Sequence, residues 1–254
     1  EHAAGNKAKA VEIANKFSAA KVDMIIALGT TAAAIAAKDI KDIPIIFSMV
    51  YDPVEAKIAQ DWKSSGNNTT GASNKVQLSK VVSSMKQIAP VKRLGVLYTP
   101  GEKNSEIQLR EIQAEQGNVQ IKVIPIPLAR KEDVSRFLSD AMSSVDALYL
   151  AGSSIVGDGV SMIVDMANKA KIITATHLED YVEKGALLGV AADPYALGQL
   201  AGTKAVKVLK GAKPSTVPIE TLKNPDVMLN MKTAKASQIQ IPEAFMKTVT
   251  KKIQ

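Results

Sequence analysis

"VDMIIALGTTAAAIAAKDIKDIPIIFS", residues 22–48, contains two apolar runs separated by an alanine-rich segment. The runs at 22–28 and 43–48 are continuous rather than alternating, which is typical of parallel strands covered on both faces. The alanine-rich segment predicts a helix over 31–37. A strand, a helix and a second strand in this order predict one unit of an open parallel α/β sheet.

The same alternation of strands and helices continues along the chain, and a new series of strands begins near residue 92. We therefore expect two α/β lobes rather than one sheet. A polar segment at 64–73 predicts a loop between elements. The further strands are predicted at 92–99, 119–128, 146–152, 171–176 and 185–192, and the further helices at 8–18, 76–89, 105–116, 131–143, 156–169 and 195–209.

The composition excludes several classes of function. The 254 residues carry a formal net charge of +7, but only four of the 32 basic residues are arginines and aromatic residues make up 4%. Scattered lysines without interleaved aromatic residues predict a solvated surface and no nucleic-acid partner. The absence of cysteine excludes thiol nucleophiles, disulfides and thiolate metal sites. No apolar run reaches the ~18 residues that predict a membrane-spanning helix.

Polar residues without catalytic character follow the predicted strands. In open α/β sheets, ligands bind beyond the carboxyl ends of the strands. Threonine, serine, asparagine and glycine at these ends predict hydrogen bonding to a polar ligand without its transformation. We therefore predict no catalytic residue, no metal, no cofactor and no enzymatic activity. The strand ends are 29–31, 48–52, 99–105, 152–154, 174–177 and 191–193.

Gly29-Thr30-Thr31 joins the first predicted strand to its helix. The unpaired N–H groups and partial positive charge of a helix N-terminus favour an anion there. Hydroxyl groups on Thr30 and Thr31 add hydrogen-bond donors, so this turn is predicted to bind a ligand carboxylate. The alternative is that one of these threonines only caps the helix.

Serine and asparagine at two other strand ends have the same two interpretations. Ser105 and Gln108 fit a capping box, while Asn104 beside them is placed to face a ligand. The segment Gly152-Ser153-Ser154 is either a turn with a helix cap or a ligand-binding loop.

Acidic residues precede proline at two strand ends. Asp52 and Asp193 are either helix caps or partners for a ligand amine, since a residue before proline is extended and proline favours the first helical turn. His177 is predicted to be a satisfied loop residue rather than a metal ligand.

Several segments, in this order, resemble the ABC-transporter substrate-binding proteins of the tryptophan/tyrosine-uptake type, which have the type I periplasmic binding protein fold. The similarity covers nearly the whole chain. The segments that carry it are DMIIALGTTAAAIAAKDIKDIPIIFSMVYDPVEA, GNNTTGAS, VKRLGVLYTPGEKNS, VDALYLAGSSIV, VEKGALLGVAADPYALGQLAGTKAVKVLKGAKPSTVPIET and LNMKTAKASQIQIPE.

The resemblance implies two doubly wound lobes joined by a hinge that close on a small ligand. The first lobe would comprise residues 1–90 plus 194–216, and the second 91–193 plus 217–254. Proteins of this type open with a further strand and helix. These are expected to precede residue 1 and would help to line the cleft.

The resemblance also assigns ligand-binding positions. Thr30 and Thr31 correspond to the turn facing the ligand carboxylate, Ser48 and Asp52 to an F-S-x-V-x-D-P-V turn, and Asn104 and Ser105 to a P-G-E-x-N-S turn. Ser153 and Ser154 replace a usual Thr-Asp-Asn, whose acid would meet an α-amino group. A ligand ammonium therefore loses that partner unless Asp193 compensates. Tyr51 stands where a smaller residue is usual and would narrow the pocket or stack on the ligand.

The implied function is capture of a small polar or aromatic solute, with amino acids among the candidates, for an ABC import system. The expected partner is a membrane permease, the expected state is a monomer, and the expected location is the periplasm or cell exterior, with anchoring through an N-terminal segment as an option. The alternative is a ligand-sensing domain of a signalling receptor or regulator with the same fold.

Overall fold

The computed structural model describes the backbone of residues 1–254 and every side chain except that of Phe137. The elements in chain order are α1 (Lys7–Ala19), β1 (Ile25–Leu28), α2 (Thr30–Asp39), β2 (Ile45–Val50), β3 (Thr69–Ser73), α3 (Leu78–Ile88), β4 (Arg93–Tyr98), α4 (Lys103–Glu115), β5 (Lys122–Pro127), α5 (Glu132–Met142), β6 (Ala147–Leu150), α6 (Ser154–Lys169), β7 (Ile173–Thr176), α7 (Glu179–Glu183), β8 (Leu188–Ala191), α8 (Pro194–Leu209), a 3-10 helix (Pro214–Thr216), β9 (Glu220–Thr221), β10 (Asp226–Asn230), α9 (Met231–Ser237), α10 (Glu243–Met246) and β11 (Lys251–Ile253).

The chain forms two compact units, each built from two stretches of sequence. Unit 1 comprises Glu1–Lys75 and Asp193–Lys223, and unit 2 comprises Val76–Ala192 and Asn224–Gln254. The predicted division placed 76–90 in the first lobe. In the structure α3 belongs to unit 2 because it packs on α4, β7 and β8. Likewise β9 belongs to unit 1 because it pairs with β3.

Unit 1 contains a four-stranded parallel sheet in the order β1-β2-β3-β9. Helix α2 packs on β1 and β2, and α8 packs on β2 and β3. The apolar residues Ile45, Ile46 and Phe47 of β2 are fully buried. This burial on both faces confirms the prediction for the apolar run at 43–48. The same prediction for the run at 22–28 was wrong, because β1 is buried on one face and exposed on the other.

Unit 2 contains a seven-stranded sheet in the order β11-β10-β8-β7-β6-β4-β5. Strands β4 to β8 are parallel, whereas β10 runs antiparallel to β8. Leucines of β4 and β6 pack with valines and isoleucines of α6 in one apolar core. The predicted α/β class with two sheets is therefore confirmed.

The polar segment predicted as a loop at 64–73 contains the buried strand β3, so that prediction was wrong. Every residue of β3 is buried. Its hydroxyl groups are satisfied by carbonyls of neighbouring segments: Thr70 Oγ1 donates to the Val217 oxygen at 2.7 Å and Ser73 Oγ donates to the Tyr51 oxygen at 2.7 Å. A buried polar strand is tolerated when each polar group is hydrogen-bonded.

The buried ammonium group of Lys204 joins helix α8 to the segment that follows it in the chain. The Lys204 ammonium, with a side chain only 2% exposed, donates to the Pro218 carbonyl at 2.6 Å and lies 2.5 Å from a Glu220 carboxylate oxygen. The hydrogen bond from Lys204 lowers the pKa of Glu220. This contact holds α8 to the segment at Pro218 and to β9 within unit 1.

Strand β1 lies at an edge of its sheet and carries two exposed apolar side chains. Ile26 is 64% and Leu28 is 68% exposed, whereas Ile25 and Ala27 on the opposite face are buried. A further strand and helix, as the family resemblance implies, would cover such a surface. Their presence in the protein stays a prediction.

Candidate functional site

The turn after β1 leaves space for a ligand to approach the backbone. Gly29 is the N-cap of α2, has φ of +85°, and makes no side-chain capping hydrogen bond. A Cβ atom built at Gly29 would meet nothing within 4 Å. The first N–H groups of α2 have no intrahelical acceptor, so this turn can bring backbone donors to an anionic group.

The two threonines of this turn have different environments. Thr30 is buried, and its Oγ1 accepts a hydrogen bond from the Tyr51 N–H at 3.3 Å. Thr31 is partly exposed. Gly29, not a threonine, occupies the N-cap, so the interpretation of either threonine as the cap was wrong. Thr30 ties α2 to the turn after β2, and Thr31 is the more accessible hydroxyl.

Ser48 in β2 and Tyr51 and Asp52 in the turn after it are buried, and the Ser48 carbonyl accepts the Gly29 N–H at 2.9 Å. The Asp52 carboxylate accepts the Val54 and Glu55 N–H groups at 3.0 Å each, and its second oxygen lies 2.5 Å from the Lys75 ammonium. That ammonium also lies 5.7 Å from the centre of the Tyr51 ring. Asp52 is therefore neutralised by Lys75, a residue that the sequence did not single out.

In unit 2, Thr99 links two buried serines behind the strand ends, through its backbone on one side and its hydroxyl on the other. Ser105 Oγ accepts from the Thr99 N–H at 3.1 Å, and Thr99 Oγ1 donates to Ser153 Oγ at 2.9 Å. Ser153 Oγ in turn accepts the Val156 N–H and caps α6. The predicted capping box was wrong, because α4 begins at Lys103 and its N-cap is Glu102.

The peptide of Gly152 is held on both sides. Its carbonyl accepts from Asn104 Nδ2, and its N–H donates to Gln108 Oε1 at 3.0 Å. Asn104 thus supports the turn at 152–154. Ser154, the last residue of this turn, is exposed, and its N–H donates to the Glu102 carboxylate at 3.0 and 3.2 Å.

Beneath this turn lies a buried polar network. The Tyr149 hydroxyl donates to Gln108 Oε1 at 3.2 Å and lies 2.8 Å from His177 Nδ1. Burial lowers the pKa of His177 to about 3. His177 is a hydrogen-bonded loop residue, as the sequence predicted, and its burial keeps it neutral.

Asp193 is a helix cap in this structure. Its carboxylate accepts the Ala196 N–H at 2.6 Å, with Pro194 at the first helical position. Of the two interpretations that the sequence left open, capping is the one observed.

The chemistry available at these strand ends is hydrogen bonding. The contributors are threonine, serine and amide groups with backbone N–H donors. Within the described side chains, no group of three or more histidine, cysteine, aspartate or glutamate residues could hold a metal ion. Among the described helices, none has both the length and the apolarity needed to cross a bilayer.

Two α/β units with polar, unreactive strand ends define a solute-binding protein of the type I periplasmic fold. The model of the family described as ABC transporter substrate binding protein matches residues 1–253. The chain therefore belongs to this family of substrate-binding, non-enzymatic proteins.

Individual relatives agree with this assignment. The chain is 31% identical over 229 residues to a tyrosine-binding protein of Clostridioides difficile (strain R20291), covering 90% of this chain and 66% of the relative. It is similar to an ABC domain from Streptococcus pneumonia in complex with L-Trp, with 28% identity, a TM-score of 0.92, and coverage of 98% of this chain and 85% of the other. A conserved domain protein from Vibrio cholerae gives 30% identity, a TM-score of 0.91, and coverage of 98% and 84%.

Proposed function

We propose that this chain captures an aromatic amino acid outside the cytoplasm and delivers it unchanged to the permease of an ABC importer. The observation that carries the proposal is the similarity to a tyrosine-binding protein over 90% of the chain. A structural neighbour holding L-Trp supports the same class of solute. The uncharged hydroxyl and amide groups at the strand ends suit reversible binding.

The ten predicted site residues divide into two roles under this proposal. Thr31 and Ser154 are accessible and would contact the ligand directly. The remaining residues hold the turns in shape through the bonds described above. These are Thr30, Ser48, Tyr51, Asp52, Asn104, Ser105, Ser153 and Asp193. The contribution of both units to one bound ligand, the monomeric state and the membrane anchor stay predictions.

Binding of L-tyrosine and L-tryptophan should stabilise the protein against heat. A ligand at 100 times its dissociation constant adds about 2.7 kcal/mol to the free energy of unfolding. A thermal-shift series with these two amino acids, L-leucine, L-glutamate and D-glucose tests the solute class. Mass spectrometry of the recovered ligand tests whether it is returned unchanged. Stabilisation by glucose alone, or conversion of the ligand, would contradict the proposal.

Replacing Thr31 by valine should weaken binding of an amino acid about tenfold. The valine removes a hydroxyl donor near the start of α2, and a hydrogen bond to a charged group contributes about 1.5–3 kcal/mol. Calorimetric titration with L-tyrosine measures the change. Thr203→Val is the matched control, because that hydroxyl lies on the exposed side of α8 and donates to the Gln199 carbonyl. Equal affinities for both variants would show that the Thr31 hydroxyl does not contact the ligand.

A further inference from the structure

An amino-acid ligand needs an acceptor for its ammonium group, and two of the acids at the strand ends are already engaged. Asp52 forms an ion pair with Lys75 and accepts two backbone N–H groups. Asp193 caps α8 through one oxygen and belongs to unit 1, whereas Ser153 and Ser154 belong to unit 2. The serines at 153 and 154 carry no charge. An acceptor at the serine turn itself must therefore come from another residue of unit 2.

Glu102 provides a carboxylate at the turn where those serines lie. Both of its oxygens are within hydrogen-bond distance of the Ser154 N–H, at 3.0 and 3.2 Å. The residue is partly exposed, and within the described residues its carboxylate makes no ion pair. A carboxylate offers about four acceptor sites, so one backbone N–H leaves capacity for the donors of an ammonium group.

We propose that Glu102 accepts the ammonium group of the amino-acid ligand and so determines specificity for amino acids over their des-amino analogues. This inference rests on the proposed function. Its physical basis is a charge-assisted hydrogen bond, which is about twice as strong as a neutral one. The carboxylate is held in place for this contact by the Ser154 N–H at the start of α6.

A purely structural role predicts a different result. A carboxylate at a helix N-terminus also stabilises that helix by interaction with its dipole. If this were the whole role of Glu102, removing its charge would affect the protein equally whichever ligand was bound. The two roles can therefore be separated by comparing two ligands that differ only in the ammonium group.

The test compares L-tyrosine with 3-(4-hydroxyphenyl)propionate on the wild-type chain and on Glu102→Gln. Glutamine keeps the length and one acceptor oxygen but removes the charge. We expect the affinity for L-tyrosine to fall at least tenfold and the affinity for the des-amino compound to stay within twofold. Glu106→Gln is the matched control, because Glu106 lies in the first turn of α4, next to the N-cap Glu102, and accepts the Gly101 N–H at 2.8 Å. This control should bind both ligands as the wild type does.

The other outcomes each overturn a defined statement. Equal losses for both ligands would show that Glu102 only supports the turn, and no loss for either would show that it plays no part. Both results overturn the inference while leaving the proposed function standing. If the wild-type chain binds no aromatic amino acid, the proposed function fails, and the role of Glu102 fails with it.

Discussion

Gly71→Ala is expected to lower the free energy of unfolding of unit 1 by about 3 kcal/mol. Gly71 lies opposite Phe47 in the pairing of β3 with β2. An alanine Cβ would lie 2.2 Å from the Phe47 carbonyl oxygen and 2.5 Å from its ring. The oxygen belongs to the backbone of a buried strand, so it cannot move aside without disturbing the sheet.

Urea unfolding followed by the fluorescence of Trp62 measures this change. Trp62 is the single tryptophan of the chain and belongs to unit 1, so the signal reports on the unit that carries the substitution. Gly198→Ala is the control, because a Cβ atom on that residue of α8 would meet nothing within 4 Å. The control should gain up to about 1 kcal/mol from helix propensity. Wild-type stability of Gly71→Ala would show that β2 and β3 are packed differently.

The free energy of unfolding should decrease as the pH is lowered below 6.5, because of His177. Burial lowers the pKa of this histidine from 6.5 to about 3. Between these values His177 binds a proton in the unfolded chain but not in the folded chain. The contribution of His177 to stability is therefore fully present above pH 6.5 and decreases as the pH falls. The free energy of unfolding should decrease by about 1.4 kcal/mol for each pH unit between 6 and 4.

The variant His177→Gln isolates this contribution from that of the carboxylates. Glutamine does not titrate, so its stability should fall less steeply between pH 6 and 4 than that of the wild type. Urea unfolding monitored by circular dichroism at several pH values in this range gives both slopes. Parallel slopes for the two proteins would mean that His177 is protonated in the folded state.

These two residues illustrate what a sequence can and cannot predict. His177 was predicted to be a hydrogen-bonded loop residue, because a single histidine without further ligating residues nearby does not form a metal site. Its partner Tyr149 was not predicted, since the two residues are 28 positions apart and meet only because β6 and β7 are neighbours. Gly71 lies in a stretch whose polar composition indicates a loop, although it is a buried strand.

The candidate site shows the same division. The polar turns at the strand ends follow from the order of apolar runs and helices, and their residues carry the family resemblance. Their individual roles do not follow, because each role depends on a partner from a distant segment. Thr99 and Ser153 are 54 positions apart, and Ser154 meets Glu102 across 52. Glu102 stands in the quoted P-G-E-x-N-S turn, but no local pattern indicates that it meets the start of α6.

The sequence by itself determined the alternation of strands and helices, the two-sheet α/β class and the family, because continuous apolar runs and helical periodicity are local properties of the chain. Only the tertiary structure decided which hydroxyl, amide and carboxylate groups are engaged and which remain accessible. The physical reason is that a polar group in a folded protein is satisfied by whichever partner the packing of strands and helices brings within about 3 Å.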